Sequence, residues 1–170
     1  MYFSGTVIVK PFLKIDKMKK TLILLLLLIG SVTAQSQELT WHTNLDKAMA
    51  ISKKSKKPLL MFFTGSDWCG WCIKLQKEVL KTPEFEAWAK ENVVLVEVDY
   101  PRRTAQEEAI KVQNAQLQQS FQIRGYPTVW FVNATKKDNQ VNFEKLGSTS
   151  YVPGGPAAWL AGANKILKKT

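Results

Sequence analysis

The sequence predicts an α/β domain, a central mixed β-sheet flanked by helices on both faces. Three observations carry that prediction. Short continuous apolar runs at residues 59–63, 93–98 and 128–132 read as buried strands. Helix-patterned stretches separate them. An alternating run at 141–146 reads as a half-exposed edge strand, and a last helix follows it.

Residues 1–34 stand outside that domain. Met18-Lys19-Lys20 is a basic start, residues 22–29 are a short apolar core, and Val32-Thr33-Ala34 supplies small residues at the end. That order describes a secretory signal peptide, cleaved after Ala34. The apolar run is far shorter than the ~20 residues a membrane span needs, so no stable membrane anchor is expected after cleavage. Retention as a signal anchor in the inner membrane is the alternative. Residues 1–17 form an extension from an early start codon or a long basic leader. The protein is therefore expected to be exported, to the periplasm, with residues 35–170 as its one domain.

The elements follow in order. Thr43-Asn44-Leu45-Asp46 opens a first helix, a capping residue followed by an acid, with Leu45, Ala48, Met49 and Ser52 on its one apolar face. Pro58 closes the basic stretch that ends it. The apolar strand 59–63 runs into a turn-rich loop, Thr64-Gly65-Ser66-Asp67. A helix over residues 72–80 follows, with Ile73, Leu75, Val79 and Leu80 expected to be buried. Thr82-Pro83-Glu84 reads as N-cap, first-turn proline and favourable early acid. Phe85, Trp88 and Ala89 recur at helical spacing and belong to the core. The second strand ends at Asp99, and residues 100–103 are a loop. A polar, glutamine-rich surface helix spans about residues 105–120. Strand 128–132 is followed by a turn over 134–140 and the edge strand 141–146. Gly154-Gly155-Pro156 opens a final helix through Lys168.

Charge narrows the function classes. The chain has a formal net charge of +10. Residues 1–34 carry five lysines against Asp16, which leaves 19 basic and 13 acidic residues, or +6, in the domain. Part of this is Lys53-Lys54-Ser55-Lys56-Lys57, at a helix end where lysines complement the helix dipole. No aromatic residues interleave with it, so a nucleic-acid partner is not expected.

The two cysteines, Cys69 and Cys72, stand three apart where a strand gives way to a helix. A purely structural disulfide there closes a tiny loop and stabilises little. Structural zinc needs about four ligands, and the chain offers two cysteines and one histidine, His42. Haem attachment needs histidine after the second cysteine, where Ile73 stands. No metal is expected, and His42 is placed at the surface beside the first helix. The spacing instead suits thiol-disulfide exchange, in which one thiolate attacks a partner's disulfide and the other resolves the mixed disulfide.

Taken together, residues 58–63, Trp68-Cys69-Gly70-Trp71-Cys72, residues 93–99 and Phe121-Gln122-Ile123-Arg124-Gly125-Tyr126-Pro127-Thr128 resemble the thioredoxin superfamily. The approach Ser66-Asp67-Trp68 and the Lys-Lys-Pro entry to the strand are similar to exported bacterial thioredoxin-like proteins, among them the C-terminal domain of the periplasmic disulfide reductase. The resemblance covers nearly all of residues 35–170. It implies that Cys69 is the nucleophile at a helix N-terminus and Cys72 the buried resolving cysteine. It implies a cis bond before Pro127, with the backbone of Tyr126 pairing with extended substrate. It places Trp68 at the shielded edge of the site and Gly70 and Trp71 against the partner. Trp71 either helps to dock substrate or packs over a neighbouring loop.

Two departures bear on mechanism. The buried strand aspartate of cytoplasmic thioredoxins is replaced at Met61 or Phe62, leaving water, Asp67, Glu97 or Asp99 for proton transfer. Gly-Trp between the cysteines matches neither Gly-Pro nor Pro-His, so direction does not transfer. The glycine after Cys69 favours reduction or isomerisation. The expected enzyme is a thiol-disulfide oxidoreductase with no cofactor beyond its own cysteine pair. Its partners are protein thiols and disulfides and an upstream thiol-disulfide electron donor. A binding module without redox turnover and a dedicated reductase for cytochrome c assembly are the alternatives.

Overall fold

The computed structural model describes residues 39–138 and 140–168. In chain order they form β1 (Trp41–His42), α1 (Leu45–Ser55), β2 (Leu59–Thr64), α2 (Gly70–Leu75), a π-helical turn (Gln76–Leu80), α3 (Pro83–Asn92), β3 (Val94–Asp99), α4 (Glu108–Ser120), β4 (Thr128–Lys137), β5 (Gln140–Thr149) and α5 (Gly155–Leu167). The expected extension, signal peptide and cleavage after Ala34 lie outside the described residues. Among the described residues no helix is long and apolar enough to cross a membrane.

The strands form one mixed sheet in the order β1-β3-β2-β4-β5. β1, β3 and β2 are parallel, and β4 and β5 return antiparallel. β2 is central and buried along its whole length. Because side chains alternate along a strand, Leu60 and Phe62 face one layer and Leu59, Met61 and Phe63 the other.

The first layer holds Cys72, Leu75, Val79, Phe85, Ala89 and Trp159, brought by α2, the π-helical turn, α3 and α5. Trp159 is its anchor. Its ring meets Phe85 at 5.7 Å and Phe131 at 6.3 Å, and its indole N–H donates to the Ser150 carbonyl at 3.0 Å. The second layer holds Leu45, Ala48 and Met49 of α1 with Leu117 of α4 and Phe121 just beyond it. The α/β class and its two helical layers are thus as the sequence predicts.

Local signals explain the helix starts. Asn44 Oδ1 accepts the Lys47 backbone N–H at 2.9 Å, and the four residues expected on the inner face of α1 are its buried ones. Thr82 caps α3 by accepting the Phe85 N–H at 3.3 Å, with Pro83 in the first turn.

Three expectations need correction. Ile73 is 50 % exposed, because Cys72 and Leu75 take the inner face and Ile73 lies about 100° around the helix from Cys72. The expected turn over 134–140 is mostly strand, with β4 and β5 paired out to Lys137↔Gln140. The polar residues there are hairpin arms with exposed side chains. α4 starts at Glu108 rather than near 105, because the Gln106 side chain donates to the Asp99 carbonyl at 3.3 Å and holds that stretch as a loop. His42 lies half-exposed beside α1, as expected, in a short edge strand, β1, that pairs with β3 at Val96.

Candidate active site

The site is built where β2 and β3 end side by side. Beyond Thr64 the chain turns sharply, and the Gly65 carbonyl accepts the Cys69 N–H at 2.9 Å. A Cβ on Gly65 would stand 2.3 Å from the Trp68 indole, so this position needs glycine for close approach. Asp99, at the end of β3, grips the same turn by accepting from the Ser66 N–H at 2.8 Å and the Ser66 hydroxyl at 2.5 Å.

A second clamp runs the other way. The Asp67 carboxylate accepts backbone N–H groups of Arg102 at 3.0 Å, Arg103 at 2.7 Å and Thr104 at 3.0 Å. These bonds, that from Arg102 foremost, hold its carboxyl below the usual aspartate range. The Trp68 indole N–H donates to the Tyr100 carbonyl at 2.8 Å. The two loops are therefore stitched by backbone and carboxylate bonds before any side chain faces a partner.

Cys69 is the N-cap of α2, with extended φ and ψ of −87° and 101°. Its Sγ accepts the Cys72 backbone N–H at 3.2 Å. The two cysteines are joined by a disulfide. Cys69 is 6 % exposed and Cys72 fully buried. Gly70 opens α2 at the surface, and a Cβ there would meet nothing within 4 Å. A backbone N–H aimed at Sγ favours the thiolate over the thiol, and a dithiol at this spacing can deliver two electrons to a partner disulfide.

The opposite wall is Tyr126-Pro127, whose peptide bond is cis. Tyr126 meets Trp68 edge-on at 5.7 Å and Tyr100 at 5.3 Å. Burial pushes the Tyr100 and Tyr126 hydroxyls above the ordinary tyrosine range, so both stay neutral donors. The Ser150 hydroxyl donates to the Pro127 carbonyl at 2.6 Å and ties this wall to the end of β5.

Trp71 is 58 % exposed and packs on Tyr151 at 5.3 Å. It thus lies over a neighbouring segment and still presents most of its indole outward. Trp71, Tyr126, Pro127, Ser150 and Tyr151 line an open cleft of about 320 Å³. Tyr151 had no motif to announce it. It is brought here by the hairpin register and by the Trp159 bond to Ser150.

Met61 and Phe62 are both buried, and no acid of β2 underlies the cysteines. Glu97 of β3 pairs across from Phe62 and borders a cavity of about 250 Å³ with Gln76, Lys81 and Trp41. Burial, then the nearby charge of Asp99, raises its carboxyl above the ordinary range, and Lys81 opposes them. Gln76 donates its backbone N–H to the Cys72 carbonyl, so this cavity lies one helical turn from the second cysteine. Among the described residues, no cluster of three or more histidine, cysteine, aspartate or glutamate side chains is placed to hold a metal.

The chain is similar to known proteins. A family model described as a thioredoxin-like domain matches residues 45–140. Over 130 residues the chain is 35% identical to the disulfide bond reductase DsbH of Chlamydia pneumoniae, covering 76% of this chain and 74% of that protein. It is 35% identical over 128 residues to the thioredoxin-related protein DsbJ of the same organism, covering 72% of this chain and 37% of DsbJ. A solved structure of DsbH oxidoreductase superposes with a TM-score of 0.68 at 35% identity, over 76% of this chain and 85% of that one. A thioredoxin from Thermus thermophilus superposes at 0.55 and 17% identity, over 77% of this chain and 88% of that one, and shows the fold alone.

Proposed function

The chain belongs to the thioredoxin-like family and is a thiol-disulfide oxidoreductase; from that premise we propose that it is an exported enzyme that reduces or isomerises disulfides of protein partners. The observation that carries this reading is the asymmetry of the cysteine pair. Cys69 sits at a helix N-cap with an N–H aimed at its sulfur, and Cys72 is buried one turn on.

The exchange balances as follows. The Cys69 thiolate attacks one sulfur of the partner disulfide, that bond breaks, and the departing partner sulfur takes up a proton. Cys72, deprotonated, then attacks Cys69 Sγ. The Cys69–Cys72 disulfide forms, the mixed disulfide breaks, and the partner leaves with both thiols reduced. Two electrons pass to the partner, and an upstream dithiol protein restores the pair. Proton exchange with Cys72 is assigned to Glu97, the half-buried acid that pairs across from Phe62, at the strand position where β2 has no acid.

Substrate docks against Trp68, Gly70 and Trp71 on one side and Tyr126-Pro127 on the other, with its backbone paired to Tyr126. Reduction is favoured because DsbH, a disulfide bond reductase, is 35% identical over most of its length. The leader over residues 1–34 supports export to the periplasm. Insulin reduction with Cys69→Ser as control tests the activity, and equal rates in the two proteins would refute it. A reduction potential near roughly −120 mV, that of a strong periplasmic oxidant, would overturn the reductive direction.

A further inference from the structure

Two aromatic walls flank Cys69, and each carries a cation. On one side the Arg102 guanidinium lies 3.8 Å from the Trp68 ring centroid. On the other, the Lys74 ammonium lies 5.3 Å from the Trp71 ring and 5.1 Å from the Tyr151 ring. The two sides differ in balance. Glu78 accepts the Tyr151 hydroxyl at 2.7 Å and stands 3.9 Å from Lys74, so the Trp71 side is near neutral. Arg102 and Arg103 have no carboxylate partner among the described residues. The Asp67 carboxylate beside them accepts from the backbone N–H groups of residues 102–104 rather than from either guanidinium. Among the described residues, the Trp68 side therefore presents two guanidiniums that no carboxylate pairs with directly.

Apolar exposure is distributed the opposite way. Trp71 is 58 %, Ile73 50 % and Val152 38 % exposed, and all three belong to the segments that form the Trp71–Tyr151 side. That side also opens into the 320 Å³ cleft.

We propose that the partner segment docking across Cys69 carries acidic side chains where it passes Arg102 and Arg103, and an uncharged apolar side chain where it passes Trp71 and Tyr151. This rests on the disulfide-exchange reading and adds a substrate class to it. Charge complementarity speeds encounter and orients the segment, and the apolar cleft fixes its register.

The test uses the reduced protein and two disulfide peptides that differ only in whether the flanking residues are acidic or lysine. At low salt the acidic peptide exchanges at least about tenfold faster, and the gap closes near about 0.5 M salt. The double variant Arg102→Glu, Arg103→Glu inverts the preference. Tyr151→Ala reduces the advantage of a peptide carrying leucine over one carrying alanine beside its cysteine. Equal rates at low salt, a lysine preference, or a salt-independent gap would overturn the proposal, and the salt series needs no variant to fold. Exchange with neither peptide would instead refute the oxidoreductase reading on which it rests.

Discussion

The two tryptophans on either side of Cys69 differ in how they are held. Trp68 is part-buried, its N–H bonds the Tyr100 carbonyl, Tyr126 abuts its ring, and Gly65 leaves it no spare room. Trp71 is mostly exposed, and among the described residues its ring meets Tyr151 and Lys74. One indole belongs to the frame that fixes where Cys69 stands. The other stands at the open rim of the cleft. The motif Trp-Cys-Gly-Trp-Cys looks symmetric on paper, and the difference arises because Trp68 lies in the loop between β2 and α2 while Trp71 lies on the outer face of a helix.

The largest effect should come from breaking the frame. Trp68→Ala is expected to cost about 3 kcal/mol of stability and to slow insulin reduction, as read by urea denaturation and the turbidity assay. Gly65→Ala should cost about 2 kcal/mol, because the new methyl drives the indole off the Tyr100 carbonyl; an unchanged urea midpoint would show that the frame yields. Trp71→Ala should change stability by less than about 0.5 kcal/mol. It should raise KM for a protein disulfide about fivefold, equivalent to roughly 1 kcal/mol of docking energy. A loss of stability matching that of Trp68→Ala would erase the distinction.

The smallest effect tests the half-buried acid, Glu97. Glu97 has a raised folded-state pKa, so the folded protein holds its proton more tightly than the unfolded chain. Its favourable contribution is present below its unfolded pKa and is lost as pH rises through the folded value. Glu97→Gln should therefore raise Tm at neutral pH by roughly 1–3 °C and leave it unchanged near pH 4. A lower Tm at neutral pH would show that the ionised carboxylate has a favourable partner.

What the sequence revealed followed from strong local signals. β2 and β3 are nearly unbroken apolar runs, and the caps Asn44 and Thr82 mark helix starts by their own hydrogen bonds. The cysteine pair and Tyr126-Pro127 are contiguous motifs. β1 was not legible because two residues carry no periodicity, and it forms by pairing with β3. The hairpin arms at Lys136 and Lys137 were hidden because both of their faces are polar. Ile73 is apolar yet exposed, because the helix phase turns it outward, and apolar character alone does not fix that phase. Arg102 and Tyr151 reach the site through the Asp67 clamp and the β4–β5 register, contacts distant in sequence that no local pattern encodes.

The central claim is that Cys69 attacks and Cys72 resolves. Mass spectrometry of the two single-cysteine variants, each reduced and mixed with the same protein disulfide, tests it most directly. Cys72→Ser should accumulate a mixed disulfide through Cys69, and Cys69→Ser should remain unmodified over the same interval. An adduct through Cys72 forming as fast as, or faster than, that through Cys69 would contradict the account.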